Sequence, residues 1–145
     1  MIREILEIDS GALSEIHQRC FEERWSEESF RHMLLQRCFS GLVDEDGTVV
    51  RGFILANIVL DEAEIIAFCV LPEFRNRSIG RSLLDELIKR FVKKHVKKMF
   101  LEVAKDNHEA IWLYKSMGCK ELSQRLNYYR CKRGTKDAIV LFRSL

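Results

Sequence analysis

The chain has 145 residues, of which 47% are hydrophobic and 32% are charged, and its formal net charge is +2. This is the length of one domain with a sizeable core, and we expect residues 1–145 to form that domain. The small net charge does not favour nucleic-acid binding, and no apolar run approaches the ~20 residues that span a bilayer. The first ten residues lack the apolar core of a signal peptide, and the five cysteines include no C-x-x-C pair, so we expect a cytoplasmic protein with reduced thiols.

The first third of the chain predicts a strand and two helices. Residues 2–8 alternate loosely between apolar and polar side chains, as a half-buried strand does. Asp9 or Ser10 can cap a helix that runs to about Cys20. Ser26 can cap a second helix in the same way, because a short polar side chain accepts a hydrogen bond from the free N–H groups of the first turn.

The middle of the chain changes from strand to helix periodicity. Three strands are expected at residues 39–43, 49–60 and 65–71, with a turn at 44–47. From residue 79 to about 96, apolar residues recur every three or four positions, which predicts an amphipathic helix.

The last third predicts a strand at 99–103, a short helix and two more strands, at 121–129 and 138–142. Asn107 caps the helix, which runs to about Met117, and Gly118 stands where a left-handed C-terminal residue is wanted. The full order is β-α-α-β-β-β-α-β-α-β-β. It predicts one α/β (α+β) domain and not a regular series of βαβ units.

Three arginines occupy the turn before the long helix, in the stretch RNRSIGR at 75–81. A helix begins with unbonded backbone N–H groups and a partial positive charge, which suits an anion. Gly80 lets a phosphate approach the backbone closely, and Arg75, Arg77 and Arg81 would add charge around it. The arginines therefore indicate either a phosphate or pyrophosphate site or a solvated basic loop, and this stretch alone does not decide between the two. Neither a G-x-x-x-x-G-K-S/T motif nor a G-x-G-x-x-G motif is present.

Two side chains further along the chain are candidates for acid–base chemistry. Glu102 interrupts an otherwise apolar strand face, where desolvation would make its carboxylate a better base at neutral pH. The alternative is a strand-edge glutamate that reaches solvent. Tyr114 lies on the apolar face of the next helix and is either a core aromatic residue or a proton donor to a departing thiolate. Asn107 is first a helix cap, and its amide could also serve a ligand in the same cleft.

The order and spacing of these motifs resemble the GNAT N-acetyltransferase superfamily, and within it the RimI-type ribosomal-protein alanine N-acetyltransferases. The similar stretches are WSEESF at 25–30, VLDEAEI at 59–65, VLPEFRNRSIGRSLL at 70–84, LEV at 101–103, N-x-x-A-I-x-L-Y at 107–114 and NYY at 127–129. The resemblance covers nearly the whole chain. It implies a GNAT-like domain in which helices flank a mixed, mostly antiparallel central sheet.

The resemblance also implies acetyl-CoA as cosubstrate, no metal, and a role for each of several residues. Phe68, Cys69 and Val70 would lie on the strand that pairs with the pantetheine arm. The pyrophosphate and the rest of the cofactor would be held by Arg75, Asn76, Arg77, Ser78, Ile79, Gly80, Arg81 and Asn107. Glu102 would accept a proton from the attacking amine, and Tyr114 would protonate the thiolate of coenzyme A.

The acceptor implied by the resemblance is the N-terminal alanine of a ribosomal protein, of the small subunit, with no contact to nucleic acid or membrane. An acetyltransferase acting on a lysine side chain, a polyamine or another small amine would have the same fold and cofactor. The presence of both Glu102 and Tyr114 disfavours a non-catalytic acyl-CoA-binding module. Two departures concern the phosphate site: Ser78 replaces the usual glycine, and Asn76, where glycine is frequent, tolerates a left-handed backbone.

Overall fold

The computed structural model describes residues 1–145, which form a seven-stranded sheet covered by four α-helices. The strands are β1 (Ile2–Glu4), β2 (Phe39–Asp46), β3 (Val49–Val59), β4 (Glu62–Val70), β5 (Lys98–Ala104), β6 (Lys120–Cys131) and β7 (Gly134–Ser144). The helices are α1 (Ser10–Cys20), α2 (Glu27–Leu34), α3 (Ile79–Lys93) and α4 (His108–Ser116). None of the four combines the length and apolar character that crossing a lipid bilayer requires.

The strands follow the order β1-β2-β3-β4-β5-β7-β6 across the sheet. Every neighbouring pair is antiparallel except β4 and β5, which run in the same direction. A parallel pair needs a long crossover, and α3 supplies it. The predicted order of elements and the mixed, mostly antiparallel sheet are therefore confirmed.

The ends of α2 and α4 follow the capping residues read from the sequence, whereas the predicted cap of α1 was wrong, because Asp9 accepts from Leu6 and makes no hydrogen bond to the first turn of α1. Ser26 Oγ accepts a hydrogen bond from the Ser29 backbone N–H at 3.1 Å, and Asn107 Oδ1 accepts one from the Ala110 N–H at 3.2 Å. Gly118 has a φ of 89°, the left-handed conformation that glycine tolerates best. Local side-chain chemistry thus determines where these helices begin and end.

Several predicted boundaries were wrong. β2 continues through Asp46, where a turn was expected from residue 44, and β4 and β7 begin at Glu62 and Gly134, before the predicted residues 65 and 138. β1 ends at Glu4, well before residue 8, because the chain turns into a short 3-10 helix at Glu7–Asp9. Asp9 stabilises this turn by accepting from the Leu6 N–H at 2.7 Å and by pairing with Arg3 at 2.8 Å. At the other end, α3 stops at Lys93, three residues before the predicted end.

Apolar side chains fill a separate core on each face of the sheet. The larger core has 19 buried residues and packs α3 and α4 on one face, with Leu83, Leu84 and Phe91 almost fully buried. The smaller core has nine buried residues and packs α1 and α2 on the other face, around Leu13 and Phe30. Each fully buried large apolar side chain contributes about 1.5–3 kcal/mol, so both layers hold the sheet in place.

Halfway along β4, a bulge changes the face that its side chains present. Ala63 and Ile65 belong to the core under α3, whereas Ala67 and Cys69 belong to the core under α1. In a regular strand all odd-numbered residues lie on the same face. The change of core between Ile65 and Ala67 therefore requires one extra residue between them. That residue is Ile66, because β3 residues 55 and 56 pair with residues 67 and 65 of β4.

The same bulge marks the point where β4 and β5 part. Their pairing covers only residues 62–65 of β4 and 98–101 of β5. Beyond it, β4 still pairs with β3, and β5 still pairs with β7, so the sheet opens between two continuous strands. The backbone edge of β4 that faces the opening, after Ile66, is left without a strand partner.

Candidate active site

Two cavities meet where β4 and β5 part. The turn-side cavity has a volume of about 690 Å³ and lies against β4, the turn at residues 74–81 and α4. The sheet-side cavity has a volume of about 530 Å³ and lies against residues 17–25, β4, β5 and the β6–β7 hairpin. Six residues line both cavities and form what we name the shared wall: Cys20, Phe21, Phe68, Asn107, Ala110 and Tyr114.

The turn before α3 holds an unusual backbone conformation. Asn76 and Ser78 have φ values of 62° and 61°, in the left-handed region that costs a non-glycine residue about 1–2 kcal/mol. The first bonded N–H of α3 is that of Ser82, which donates to the Ser78 carbonyl. The N–H groups of residues 76–81 therefore make no backbone hydrogen bond, and successive free N–H groups in such a turn form an anion-binding concavity.

The three arginines of this turn have different contacts. Arg75 Nε donates to the Val70 carbonyl at 3.0 Å, which ties the turn to the end of β4. Arg81 Nη2 donates to Ser116 Oγ at 2.7 Å, which ties α3 to α4. The Arg77 guanidinium lies over the Phe74 ring, 5.6 Å from its centroid, and Arg77 does not line the cavity. All of the other residues predicted to hold the cofactor do line it.

Gly80 has a spatial role at the floor of the turn-side cavity. A Cβ built on it would lie 3.6 Å from both Leu113 and Phe68, which is ordinary contact, and its φ is not in the left-handed region. The backbone therefore does not require glycine here. A longer side chain would instead meet Phe68 and Leu113 in the turn-side cavity.

These features fit a long ligand with an anionic end and a thin polar arm. The free N–H groups and the arginines suit a pyrophosphate. The unpartnered edge of β4 at Phe68, Cys69 and Val70 offers backbone groups to an arm with amides, as an additional strand would, except for the Val70 carbonyl, which accepts from Arg75. Asn107 Oδ1 is used in capping α4, so its amide N–H groups remain free to donate to the same arm. The residues present fit acetyl-CoA.

Tyr114 is buried in the shared wall. The residue is 7% exposed, its ring lies 6.0 Å from that of Phe68, and its hydroxyl has no hydrogen-bond partner within the protein. Burial raises the pKa of this hydroxyl well above its usual value, so it stays protonated at neutral pH. A protonated hydroxyl without a protein partner, facing two cavities, is free to donate to a ligand.

Glu102 lines the sheet-side cavity, but its surroundings are more polar than the sequence predicted. Arg125 Nη1 donates to Glu102 Oε1 at 2.6 Å, and the Arg125 guanidinium lies over the Tyr128 ring, 4.2 Å from its centroid. The pKa of Tyr128 is raised, chiefly by its approach to the Glu102 carboxylate. The carboxylate is 17% exposed, and Arg125 contacts only one of its two oxygens.

A second bulge explains how the NYY stretch reaches this site. Arg125 pairs with Ala138 and Tyr129 pairs with Lys136, so residues 126–128 face Asp137 alone. Asn127 has a φ of 53°, and its N–H donates to Asp137 Oδ1 at 2.9 Å. The bulge re-aims the end of β6, and Tyr129 lines the sheet-side cavity.

Sequence reasoning missed several residues of the site. His17 and Trp25, whose rings stack 4.6 Å apart, line the sheet-side cavity together with Glu22 and Glu23. Cys20 lies in the shared wall. The three-residue spacing of His17 and Cys20 predicts that they share one face of α1. No residue near them in the sequence indicates that this face packs against β4.

Comparison with known proteins identifies the family. A model of the Acetyltransferase (GNAT) family matches residues 11–119 of the chain. The chain belongs to the GNAT acetyltransferase family. It is therefore an acetyl-CoA-dependent N-acetyltransferase, as its motifs predicted.

Individual relatives of this GNAT acetyltransferase cover almost its whole length. The ribosomal protein bS18-alanine N-acetyltransferase of Escherichia coli K12 is 35% identical over 133 residues, which is 92% of the chain and 89% of the relative. The enzyme of the same name from Haemophilus influenzae is 30% identical over 97% of the chain and 96% of the relative.

Solved structures agree with these sequence relatives. The crystal structure of the ribosomal-protein-S18-alanine N-acetyltransferase from Escherichia coli superposes with a TM-score of 0.93 at 31% identity, covering 99% of this chain and 92% of that one. The structure of Ard1 from Thermoplasma volcanium gives a TM-score of 0.89 at 26% identity, covering 100% of this chain and 97% of that one. The predicted fold class is confirmed.

Proposed function

We propose that this GNAT acetyltransferase transfers the acetyl group of acetyl-CoA to the N-terminal alanine of a ribosomal protein, in the cytoplasm. The observation that carries the proposal is the shared wall, on which the donor side and the acceptor side meet at the Tyr114 hydroxyl. The named activity of the relatives from Escherichia coli and Haemophilus influenzae supports the choice of acceptor.

On the donor side, the turn at residues 75–81 binds the pyrophosphate, and the free edge of β4 and the Asn107 amide align the arm. This arrangement directs the thioester end towards the shared wall. Acetyl-CoA supplies an acetyl group that is activated as a thioester. The apolar side chains of Phe68 and Ala110 exclude water from the point of transfer, which protects the thioester from hydrolysis.

On the acceptor side, the sheet-side cavity is lined by four carboxylates and two basic side chains, namely Glu22, Glu23, Glu102, Asp106, Arg130 and Lys136. Glu22 and Asp106 are engaged within the protein, with the Lys132 N–H at 2.9 Å and with Lys136 at 2.8 Å respectively. Glu23 and the free oxygen of Glu102 remain available to the ligand. An α-ammonium group loses its proton near pH ~8, so a base must remove that proton before or during attack, and we assign this step to Glu102.

Tyr114 acts at the other end of the transfer. Its hydroxyl is protonated and unpartnered, so it can donate to the sulfur atom that leaves and then regain a proton from solvent. Glu102 and Tyr114 therefore divide the acid and base roles. The Val70 region of β4 can add a backbone N–H to stabilise charge on the carbonyl oxygen during transfer.

The acceptor is tested with three peptides of one sequence that contains a single lysine. The first has a free N-terminal alanine, the second has the same N-terminus blocked, and the third has alanine replaced by glutamate. Mass spectrometry after incubation with acetyl-CoA should locate the acetyl group on the α-amine of the first peptide. Acetylation of the lysine in the blocked peptide, at an equal or higher rate, would instead indicate a lysine acetyltransferase.

A further inference from the structure

Cys20 is a thiol that the proposed chemistry does not use, although it lies in the shared wall with Phe68 and Tyr114. It is the last residue of α1 and packs against the smaller core. If Tyr114 protonates the sulfur atom of coenzyme A, then coenzyme A bound at residues 75–81 places that sulfur at the shared wall, next to Cys20. This step rests on the proposed function.

The surroundings of Cys20 favour its thiolate. Arg75 Nη2 lies 3.7 Å from Cys20 Sγ and favours the thiolate, whereas the Val70 carbonyl oxygen, to which the thiol donates at 3.6 Å, favours the protonated form. The pKa of the Cys20 thiol is lowered to about 7, first by a hydrogen bond from Cys69 and then by the charge of Arg75, against the effect of burial. The thiolate of Cys20 is therefore favoured relative to that of an ordinary cysteine.

The neighbouring Cys69 has the opposite character. Its side chain is 3% exposed, and burial raises the pKa of its thiol well above the usual value. Cys69 therefore stays protonated and reacts slowly, because only the thiolate attacks a disulfide. A group attached to Cys20 would not be displaced quickly by Cys69.

We propose that Cys20 is a site of covalent coenzyme A attachment, and that the reactant is coenzyme A disulfide bound through its phosphates at residues 75–81. The Cys20 thiolate attacks one sulfur atom of the reactant. A Cys20–coenzyme A disulfide bond forms, the original disulfide bond breaks, and the second coenzyme A leaves as a thiolate. One disulfide is consumed and one is formed, so the step needs no other oxidant.

The attached coenzyme occupies the turn-side cavity, so it blocks acetyl-CoA until a thiol releases it. Binding through the phosphates also makes the reaction selective. A bound arm presents its sulfur to Cys20 at an effective concentration of about 1 mM. The rate of exchange relative to an unbound disulfide increases by this concentration divided by the dissociation constant, which is about 100-fold if the dissociation constant is about 10 µM.

The experiment compares coenzyme A disulfide with pantethine, which has the same sulfur arm but no phosphate or nucleotide. Intact-mass spectrometry follows adduct formation, and peptide mapping locates it. Cys20→Ser removes the proposed site. Cys38→Ser is the matched control, because Cys38 is also half-buried but lines neither cavity. Calorimetry with reduced coenzyme A and thermal unfolding check each variant.

We expect one coenzyme A per chain on Cys20, formed about 100-fold faster than the pantethine adduct. We expect no adduct in Cys20→Ser, an unchanged rate in Cys38→Ser, and recovery of acetyl-CoA binding after treatment with dithiothreitol. Equal rates for the two disulfides, or an adduct mainly on another cysteine, overturn the proposal while reduced coenzyme A still binds. Absence of coenzyme A binding overturns the proposed function as well.

Discussion

Removing the Tyr114 hydroxyl tests the proposed chemistry with the smallest possible change. In Tyr114→Phe the ring keeps its packing near Phe68, and no hydrogen-bond partner within the protein is left unsatisfied. We therefore expect the free energy of unfolding to change by less than about 1 kcal/mol. A purely structural tyrosine and a catalytic one then differ in turnover, not in stability.

The expected loss of turnover follows from the role of the hydroxyl. A general acid contributes about 10²–10⁴ to the rate, so kcat should fall by that factor, or about 3–5 kcal/mol in the activation barrier. The affinity for acetyl-CoA should hardly change, because Tyr114 acts on the sulfur only as it leaves. Raising the pH should not restore the rate, since the missing group is an acid.

The pKa of Tyr114 adds a prediction at alkaline pH. Burial raises the pKa in the folded state above the unfolded value of ~10, so the folded state favours the neutral hydroxyl. This contribution to stability is fully present below pH ~10 and is lost as the pH rises through the folded-state pKa. The parent protein should therefore lose stability above pH ~10 more steeply than Tyr114→Phe.

Three measurements decide whether Tyr114 is catalytic or structural. They are initial rates of thiol release, calorimetric binding of acetyl-CoA, and thermal unfolding at pH 7 to 11. The expected pattern is a large fall in kcat with near-normal binding and folding. If the folded variant turned over at a near-normal rate, Tyr114 would be a core aromatic residue and the proposed proton donation would be wrong.

Three further changes probe the base, the phosphate site and acid stability. Glu102→Gln should lower turnover by about 10²–10⁴ and recover partly at high pH, where more of the amine is neutral. The exposed control Glu62→Gln, which lines neither cavity, should keep the parent rate, and equal rates in both variants would contradict the role. Gly80→Asp should weaken acetyl-CoA binding at least tenfold in calorimetry, because it adds a negative charge beside the phosphates, and unchanged affinity in a folded variant would refute the assignment. Hydrogen bonds from Arg3 lower the pKa of Asp9, so the contribution of Asp9 to stability is present above pH ~4 and is lost as the pH falls through the folded-state pKa. In urea unfolding, Asp9→Asn should be less stable than the parent at pH 7, and the two stabilities should converge in acid. A difference in stability that stays constant with pH would contradict this role of Asp9.

Much of this protein is determined by short stretches of its sequence. Ser26 and Asn107 cap their helices with their own side chains, and Gly118 supplies a left-handed residue at a helix end. These interactions span only a few residues, so the sequence alone predicts them. The residues at 75–81 were also readable, because a basic turn before an amphipathic helix needs no distant partner to present free N–H groups.

What the sequence did not predict depends on residues that are far apart in the chain. The bulge at Ile66 changes which of the two cores the odd-numbered residues of β4 enter, and the pairing of β4 with β5 ends there. The bulge is visible only once the register of β4 with β3 is known. Arg125 reaches Glu102 across 23 positions, and Arg75 reaches Cys20 across 55. The strength of an acid, a base or a thiol depends on such neighbours and on burial. The sequence therefore proposed Glu102, Tyr114 and the turn at 75–81 as candidates, whereas only the tertiary structure brought His17, Trp25 and Cys20 to the same cavities and decided the chemical environment of each group.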